Sequence, residues 1–258
     1  PREYVVILKK IKKLMFSFFK KHQKPLFEEL CDIHNHLLPG IDDGSKNLDT
    51  STKMLHTFET LGFKSTIPTP HIYKELYPNT PETIKEAFQL LKEHKDHANT
   101  IKVNSYAAEY MVDEVFMKNL EKASPLLLLN DTYILLEINF FGKTTMLKSA
   151  CFSLCQKNIT PILAHPERYH LIKDISEYQN LKNQGFYFQL NALSLMGQYG
   201  PEVKQKAEKL LKEGLYDFVA TDAHSVNDLK KLKSLSLSKK LGIQWESIRE
   251  FQLKLFSS

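Results

Sequence analysis

Residues 31–36 read Cys31-Asp-Ile-His34-Asn-His36, with two imidazoles at alternate positions directly after a short apolar run. Alternate residues of an extended segment point to the same side, so both histidines can bind one ion without a special turn. The segment Gly40-Ile-Asp42-Asp43-Gly44 follows and adds a tight turn with acidic oxygens. The alternative is a pair of hydrogen-bonded core histidines. We predict that His34 and His36 bind a metal ion where the first strand ends.

The same arrangement recurs along the chain, because other imidazoles and carboxylates also follow apolar runs. A carboxylate in such a place is costly to bury unless it is paired or metal-bound. Imidazole nitrogens and carboxylate oxygens suit zinc, manganese or iron. A salt bridge at a strand end is the alternative for each glutamate. The residues that share this position, and predict one polynuclear metal centre, are His71, Glu109, Glu137, His165, Asp222 and His224.

Short apolar runs alternate with longer amphipathic runs, which is typical of an α/β fold with parallel strands. Seven strand–helix units are too few for a regular eightfold barrel but suit an incomplete or distorted one, in which the predicted ligands meet at the carboxyl ends of the strands. The predicted strands lie near 31–34, 64–69, 101–108, 132–137, 159–164, 186–191 and 217–221. The predicted helices lie near 47–61, 81–97, 143–157, 174–183, 201–213, 226–239 and 245–255.

The 258 residues suit one domain, which we place at 25–258 after a basic N-terminal extension at 1–24. The extension carries eight basic residues against one acidic residue, whereas the remainder carries 27 basic and 29 acidic residues. The body is therefore not basic, which disfavours a nucleic-acid partner. The extension alternates apolar and basic residues and suits weak contact with an acidic membrane surface. A disordered or packed extension, partly non-native if Met15 is the natural start, is the alternative.

Three cysteines without a CxxC pair are a poor basis for a disulfide framework and favour a reduced, cytoplasmic protein. The cysteine-dependent tyrosine phosphatase mechanism is also disfavoured, because no cysteine lies six residues before an arginine. Arg168 stands in the same loop as His165 and can offer a planar fork of donors to phosphate oxygens. The alternative for Arg168 is a surface ion pair with Glu167.

Seven motifs, in this order, resemble the polymerase and histidinol phosphatase (PHP) superfamily. They are Asp32-Ile-His-Asn-His36, Asp42-Asp43-Gly44, Thr69-Pro-His71, Ala108-Glu109-Tyr110, Leu136-Glu137, Ala164-His-Pro-Glu-Arg168 and Thr221-Asp-Ala-His224. Their spacing is similar to that of the manganese-dependent bacterial protein tyrosine phosphatases encoded with capsular and exopolysaccharide genes. The resemblance covers roughly residues 30–240.

This resemblance implies a distorted (β/α)7 TIM-like barrel of the PHP type that binds three divalent ions, with manganese the first expectation and iron or zinc the alternatives. It implies that Asp32 and Asp42 orient the histidines or the loop. The implied ligands are His34, His36, Glu109 and Asp222 for one ion, Glu109, Glu137 and His165 for a second, and Asp43, His71 and His224 for a third.

The resemblance also implies a hydrolase that removes phosphate from phosphotyrosine on a polysaccharide-export tyrosine kinase and so regulates capsule or exopolysaccharide synthesis. Three divalent ions and four ligand carboxylates leave a net charge of about +2, which suits a dianionic phosphomonoester, and metal-acidified water can attack it. The nearest alternative is a small-molecule phosphatase acting, for example, on histidinol phosphate. A metal-dependent amidohydrolase and a non-catalytic regulatory module are the others.

Overall fold

The computed structural model describes residues 25–94, 101–139 and 145–256. The predicted extension at 1–24 and its membrane contact lie outside the described residues. The strands within these ranges are β1 (Cys31–Asp32), β2 (Ser65–Thr66), β3 (His71–Ile72), β4 (Glu109–Met111), β5 (Tyr133–Glu137), β6 (Thr160–Ala164), β7 (Tyr187–Asn191) and β8 (Phe218–Ala220). The helices are α1 (Leu48–Leu61), α2 (Pro81–Glu93), α3 (Glu114–Glu121), α4 (Thr145–Cys155), α5 (Ile175–Asn183), α6 (Ala192–Leu195), α7 (Pro201–Lys212), α8 (Val226–Leu232) and α9 (Lys239–Phe256).

The strands are parallel and follow one another in chain order, which confirms the predicted α/β class with a parallel sheet. β1 pairs with β2, and β3 to β8 form a second sheet in which each strand pairs with the next. Among the described residues the two sheets do not form one closed barrel. Backbone hydrogen bonds outside the ladders link them: Asp222 N donates to His34 O (2.8 Å), His36 N donates to Ala223 O (3.0 Å), and Ala107 N, ahead of β4, donates to Pro68 O (2.9 Å), after β2.

Two predictions of strand position are wrong. Within the range predicted near 101–108, Lys102 alone pairs, in a single bridge with Ser65, and the strand β4 lies after it at Glu109–Met111. The strand predicted near 64–69 is replaced by the shorter β2 and β3. Pro68 and Pro70 lie between these two strands and have no N–H to donate to a ladder.

Local sequence explains where several helices begin. Asn47 accepts a hydrogen bond from Thr50 N at the start of α1, and Thr80 does the same for Thr83 N at the start of α2. Helix α3 was not predicted, although Asp113 is an ordinary N-cap that accepts from Phe116 N (2.7 Å). No helix in the described ranges combines the length and apolar character needed to cross a bilayer.

Helix α9 packs beside the edge strands β1 and β8. The side chain of Gln252 is fully buried and bonds to both strands: its Nε2 donates to Cys31 O (2.8 Å) and Val219 O (3.0 Å), and its Oε1 accepts from Val219 N (2.9 Å). This amide therefore holds together two segments that carry predicted metal ligands at their carboxyl ends.

Candidate metal centre

The structure brings the nine predicted ligands to one place, at or after the ends of β1, β5, β6 and β8, except that His71 and Glu109 begin β3 and β4 and do not follow a strand as predicted. Eight of them fall into three overlapping groups whose ligand atoms all lie within 4.8 Å of one another. The ninth, His165, lies with Nε2 3.0 Å from Glu109 Oε1. The groups are His34, His36, Glu109 and Asp222; His71, Glu109 and Glu137; and His36, Asp43, His71 and His224.

The first group is the most buried, and its atoms face one point. His34 Nε2 lies 3.1 Å from Glu109 Oε2 and 3.3 Å from Asp222 Oδ1. His36 Nε2 lies 3.5 Å and 3.2 Å from the same two oxygens. Within the described residues, neither Nε2 atom has a hydrogen-bond partner, because the contacts lack the required geometry. Separations of this size are the edges, about 3.0–3.5 Å, of a coordination shell with metal–nitrogen bonds near 2.1 Å.

The second ring nitrogen fixes the orientation of three of these histidines. His34 Nδ1 lies 2.9 Å from Gln189 Oε1, His36 Nδ1 lies 2.8 Å from Asp42 Oδ2, and His224 Nδ1 lies 2.9 Å from its acceptor, the backbone oxygen of Asp222. Since each partner is an acceptor, we assign a proton to Nδ1, which leaves Nε2 as the atom that can bind a metal ion. Metal-bound histidines commonly show this arrangement. The donor set therefore fits divalent ions.

Sequence reasoning expected Asp42 and Asp32 to orient this region, and their contacts differ. Asp42 accepts from His36 and from Gly44 N (2.9 Å), so it orients both a histidine and the loop. Asp32 instead accepts from Thr221 N (2.8 Å), Thr221 Oγ1 (2.9 Å) and Asn35 Nδ2 (2.9 Å). Burial raises the pKa of Asp32 to about 7. Through these hydrogen bonds, Asp32 joins the segment that carries His34 and His36 to the segment that carries Asp222 and His224.

His71 occupies the middle of the cluster. Its Nδ1 lies 2.9 Å from Glu137 Oε1 and 3.2 Å from Glu109 Oε2, and its Nε2 lies 3.5 Å from Asp43 Oδ1. His224 Nε2 lies 3.4 Å from the same Asp43 oxygen. The structure thus places His71 between the predicted second and third ligand sets. The division of ligands among individual ions stays a prediction.

Charge compensation keeps this buried cluster ionised. Burial alone would raise the pKa of Glu109, but the positive charges of His34 and His71 lower that pKa well below its usual range. Burial alone would lower the pKa of His34, but Glu109 and Asp222 raise it to about 9. Protons on imidazoles therefore balance the carboxylates in the metal-free protein, and bound cations would replace those protons.

Arg168 borders the cluster and contacts a predicted ligand. Its Nη1 donates to Asp222 Oδ2 (2.8 Å), and its guanidinium lies 4.2 Å from the centroid of the Tyr199 ring. Asn191 Nδ2 donates both to Asp222 Oδ2 (2.8 Å) and to Tyr199 Oη (3.0 Å). The alternative ion pair of Arg168 with Glu167 is not formed in the described residues, where Glu167 accepts from Asn191, Ser194 and Tyr216.

The sequence predicts that residues 189–200 lie at the mouth of the site, where they could contact a phosphotyrosine segment, but it assigns Gln189, Asn191 and Tyr199 no individual role. The available signal was the alternation of β7, because Gln189 and Asn191 are polar residues two positions apart in a strand that is mostly buried and otherwise free of amides and charges. Tyr199 gave no comparable signal, since a tyrosine in a loop packs as often against a neighbouring helix.

Four comparisons relate the chain to known proteins. A family model described as capsular polysaccharide synthesis, CpsB/CapC, matches residues 30–241. The chain is 32% identical over 199 residues to the tyrosine-protein phosphatase YwqE of Bacillus subtilis (strain 168), covering 76% of this chain and 78% of YwqE. It is 26% identical over 204 residues to the tyrosine-protein phosphatase CpsB of Streptococcus pneumoniae, covering 77% and 84%. A solved structure from work on YwqE and CpsB, titled unique metal-dependent tyrosine phosphatases, matches with a TM-score of 0.71 and 28% identity over 86% of this chain and 94% of the other.

Proposed function

The chain belongs to the capsular polysaccharide synthesis family CpsB/CapC, and we propose that it is a metal-dependent tyrosine-protein phosphatase. The observation that carries the proposal is the buried cluster in which His34 and His36 turn their Nε2 atoms toward Glu109 and Asp222. The relatives named as tyrosine-protein phosphatases, one of them 32% identical, support the same activity.

We propose further that the nine clustered side chains hold three divalent ions, with manganese as the expected metal. They would do so in one domain at 25–258 whose two sheets together form a distorted barrel. The hydrogen bonds from Asp222 N to His34 O, from His36 N to Ala223 O and from Ala107 N to Pro68 O support that continuity. When bound, such ions acidify water to give hydroxide near neutral pH and stabilise charge on phosphate oxygens. The residues contribute fixed positions, because most of them are buried and oriented by neighbours.

Arg168 binds the phosphate in this proposal. Its guanidinium lies at the partly exposed edge of the cluster, with 20% of the side chain accessible, and its contact to Asp222 keeps it against the centre. A planar fork of donors suits two non-bridging oxygens of a phosphomonoester. The ring of Tyr199 supports the guanidinium from one side. Arg168 thus joins substrate binding to the position of a metal ligand.

The leaving group explains why phosphotyrosine suits this centre. A phenol has a pKa of about 10 and departs as phenolate more readily than an alkoxide, so a strong general acid is less necessary. We assign no such acid. A phosphotyrosine protein, specifically a bacterial tyrosine kinase of polysaccharide export, is the partner that the family membership favours.

The test compares substrates on protein loaded with manganese. We expect hydrolysis of a phosphotyrosine peptide to exceed that of histidinol phosphate, and we expect His36→Ala to abolish it. Lys53→Ala, which removes an exposed ion pair on α1, is the matched control and should keep full activity. A strong preference of the parent protein for histidinol phosphate would overturn the proposal in favour of a small-molecule phosphatase.

A further inference from the structure

A groove of about 450 Å³ opens beside the metal centre, between the beginnings of α2 and α3. Its floor is formed by the buried side chains of Tyr110, Met111 and Phe116. Ile72, Val115 and Leu126 form partly exposed walls, and none of these residues belongs to the predicted ligands. The volume lies in the range, about 300–1,000 Å³, of sites that bind ligands.

The groove adjoins the metal centre, because two strands contribute residues to both places. Ile72 follows His71 directly in β3, and Met111 pairs in register with Glu137 of β5. Neighbouring parallel strands lie about 4.8 Å apart, so the groove wall begins within about 5 Å of two ligand backbones. The loop after β3 serves both places: Tyr77 stacks on the His71 ring at 5.2 Å, whereas Asn79 lines the groove and donates to His71 O (2.9 Å).

The polar groups at the two helix starts have partners within the protein, whereas the buried floor of the groove offers apolar surface. Thr80 caps α2 through Thr83 N, Asp113 caps α3 through Phe116 N, and Tyr110 Oη accepts from Leu127 N (2.7 Å). Glu82 and Asp113 stand at the two helix starts and Lys74 also lines the groove, so the groove presents no single sign of charge to a ligand. Apolar side chains are therefore the chemistry that this groove fits.

We propose that the groove binds apolar side chains of the substrate polypeptide within about three residues of the phosphotyrosine, at the 3.3 Å per residue of an extended chain. This inference rests on the proposed phosphatase function. A polypeptide is the occupant because a phosphotyrosine substrate brings its own chain to the metal centre, and the loop after β3 contacts both that centre and the groove. The groove then distinguishes phosphoprotein segments from free aryl phosphates.

The test uses the full chain loaded with manganese and three substrates: free phosphotyrosine, a phosphotyrosine peptide flanked by leucines, and a matched peptide flanked by glycine and serine. The readout is kcat/KM for each peptide divided by kcat/KM for free phosphotyrosine. Burial of one apolar side chain predicts a preference of about tenfold or more for the leucine-flanked peptide in the parent protein. Val115→Lys and Leu126→Ser, on different walls, should each remove most of that preference.

Leu90→Lys is the matched control, because Leu90 lies on α2 outside the groove and is 54% exposed. It should keep the parent ratio, and melting temperatures verify that each variant folds. Three outcomes would each overturn the proposed role of the groove. They are no preference for the leucine-flanked peptide in the parent protein, an unchanged preference in both groove variants, and an equal loss of preference in Leu90→Lys. A parent protein that hydrolyses no phosphotyrosine substrate would overturn the proposed function itself, which is a separate and earlier failure.

Discussion

At the scale of single residues, the metal centre depends on atoms that hold the ligands as well as on the ligands. Gln189 Oε1 lies 2.9 Å from His34 Nδ1 and also accepts from His165 N (3.2 Å), so one amide orients parts of two ligand residues. His165 and Asp222 have φ values of 34° and 49°, in the left-handed region that costs free energy for residues other than glycine. The fold holds both residues in this strained conformation at the cluster.

Gln189→Leu should weaken manganese binding by about 10–100-fold, because loss of an oxygen acceptor frees the ring of His34 to rotate or change tautomer. Isothermal titration calorimetry of metal-free protein with manganese measures the change in the dissociation constant. Gln198→Leu is the control, since Gln198 is exposed and its side chain bonds only to Lys231 among the described residues. Equal affinity in the Gln189 variant and its parent would contradict the orienting role.

Tyr199 should act on phosphate binding through Arg168. Loss of a ring beneath a guanidinium costs about 0.5–2 kcal/mol, so Tyr199→Leu should raise the inhibition constant of inorganic phosphate about 2–30-fold. Tyr199→Phe keeps the ring and loses only the hydrogen bond from Asn191, so its effect should be smaller. Competitive inhibition of aryl phosphate hydrolysis gives both constants. Equal effects of the two substitutions would show that the hydroxyl, and not the ring, supports Arg168.

The ligand positions could be proposed from sequence because each follows an apolar run, but their supporting residues could not. Asn191 bonds to Asp222 across 31 positions, and Gln189 bonds to His34 across 155. Such contacts depend on which strands become neighbours and on how each side chain turns. Local sequence patterns contain neither kind of information.

At the scale of elements, strand length decides how well the sequence predicts the fold. β5, β6 and β7 each have five residues and four buried positions, so their apolar runs are clear and their bounds agree with prediction within one residue. β2 and β3 have two residues each, and prolines separate them. Short strands give too few alternations to set a register, so tertiary packing decides their ends.

Helix α9 compensates for the missing ladder between β1 and β8. Replacing the buried Gln252 by leucine leaves Cys31 O, Val219 N and Val219 O without their partner, and unsatisfied buried groups cost about 1–3 kcal/mol each. Gln252→Leu should therefore lower the free energy of unfolding by about 2–4 kcal/mol in urea denaturation. Glu250→Gln, at an exposed position of the same helix, should change it little. A neutral Gln252 variant would show that the strands hold together without this amide.

At the scale of the whole molecule, the metal centre acts as a cross-link. Its predicted ligands come from both sheets, with His34 and His36 after β1, Glu109 at the start of β4 and Glu137 at the end of β5. Asp222 and His224 follow β8, which is the edge strand of the larger sheet opposite β3. Ions bound among them would therefore join segments that are far apart in the chain, in addition to the hydrogen bonds of Asp32 and Gln252.

Manganese should consequently stabilise the folded protein as a whole. A ligand that binds only the native state at 100 times its dissociation constant adds about 2.7 kcal/mol, which corresponds to a rise in Tm of about 5–11 °C for a domain of this size. Differential scanning calorimetry of metal-free protein, with and without manganese, measures the shift, and excess EDTA should reverse it. Glu109→Gln should remove most of the response, because Glu109 belongs to two of the three ligand groups and contacts His165. Because Glu121→Gln changes only an exposed carboxylate at the end of α3, it should respond as the parent does. A parent protein whose Tm is unaffected by manganese would contradict the cross-link, even if the isolated distances among the ligands were correct.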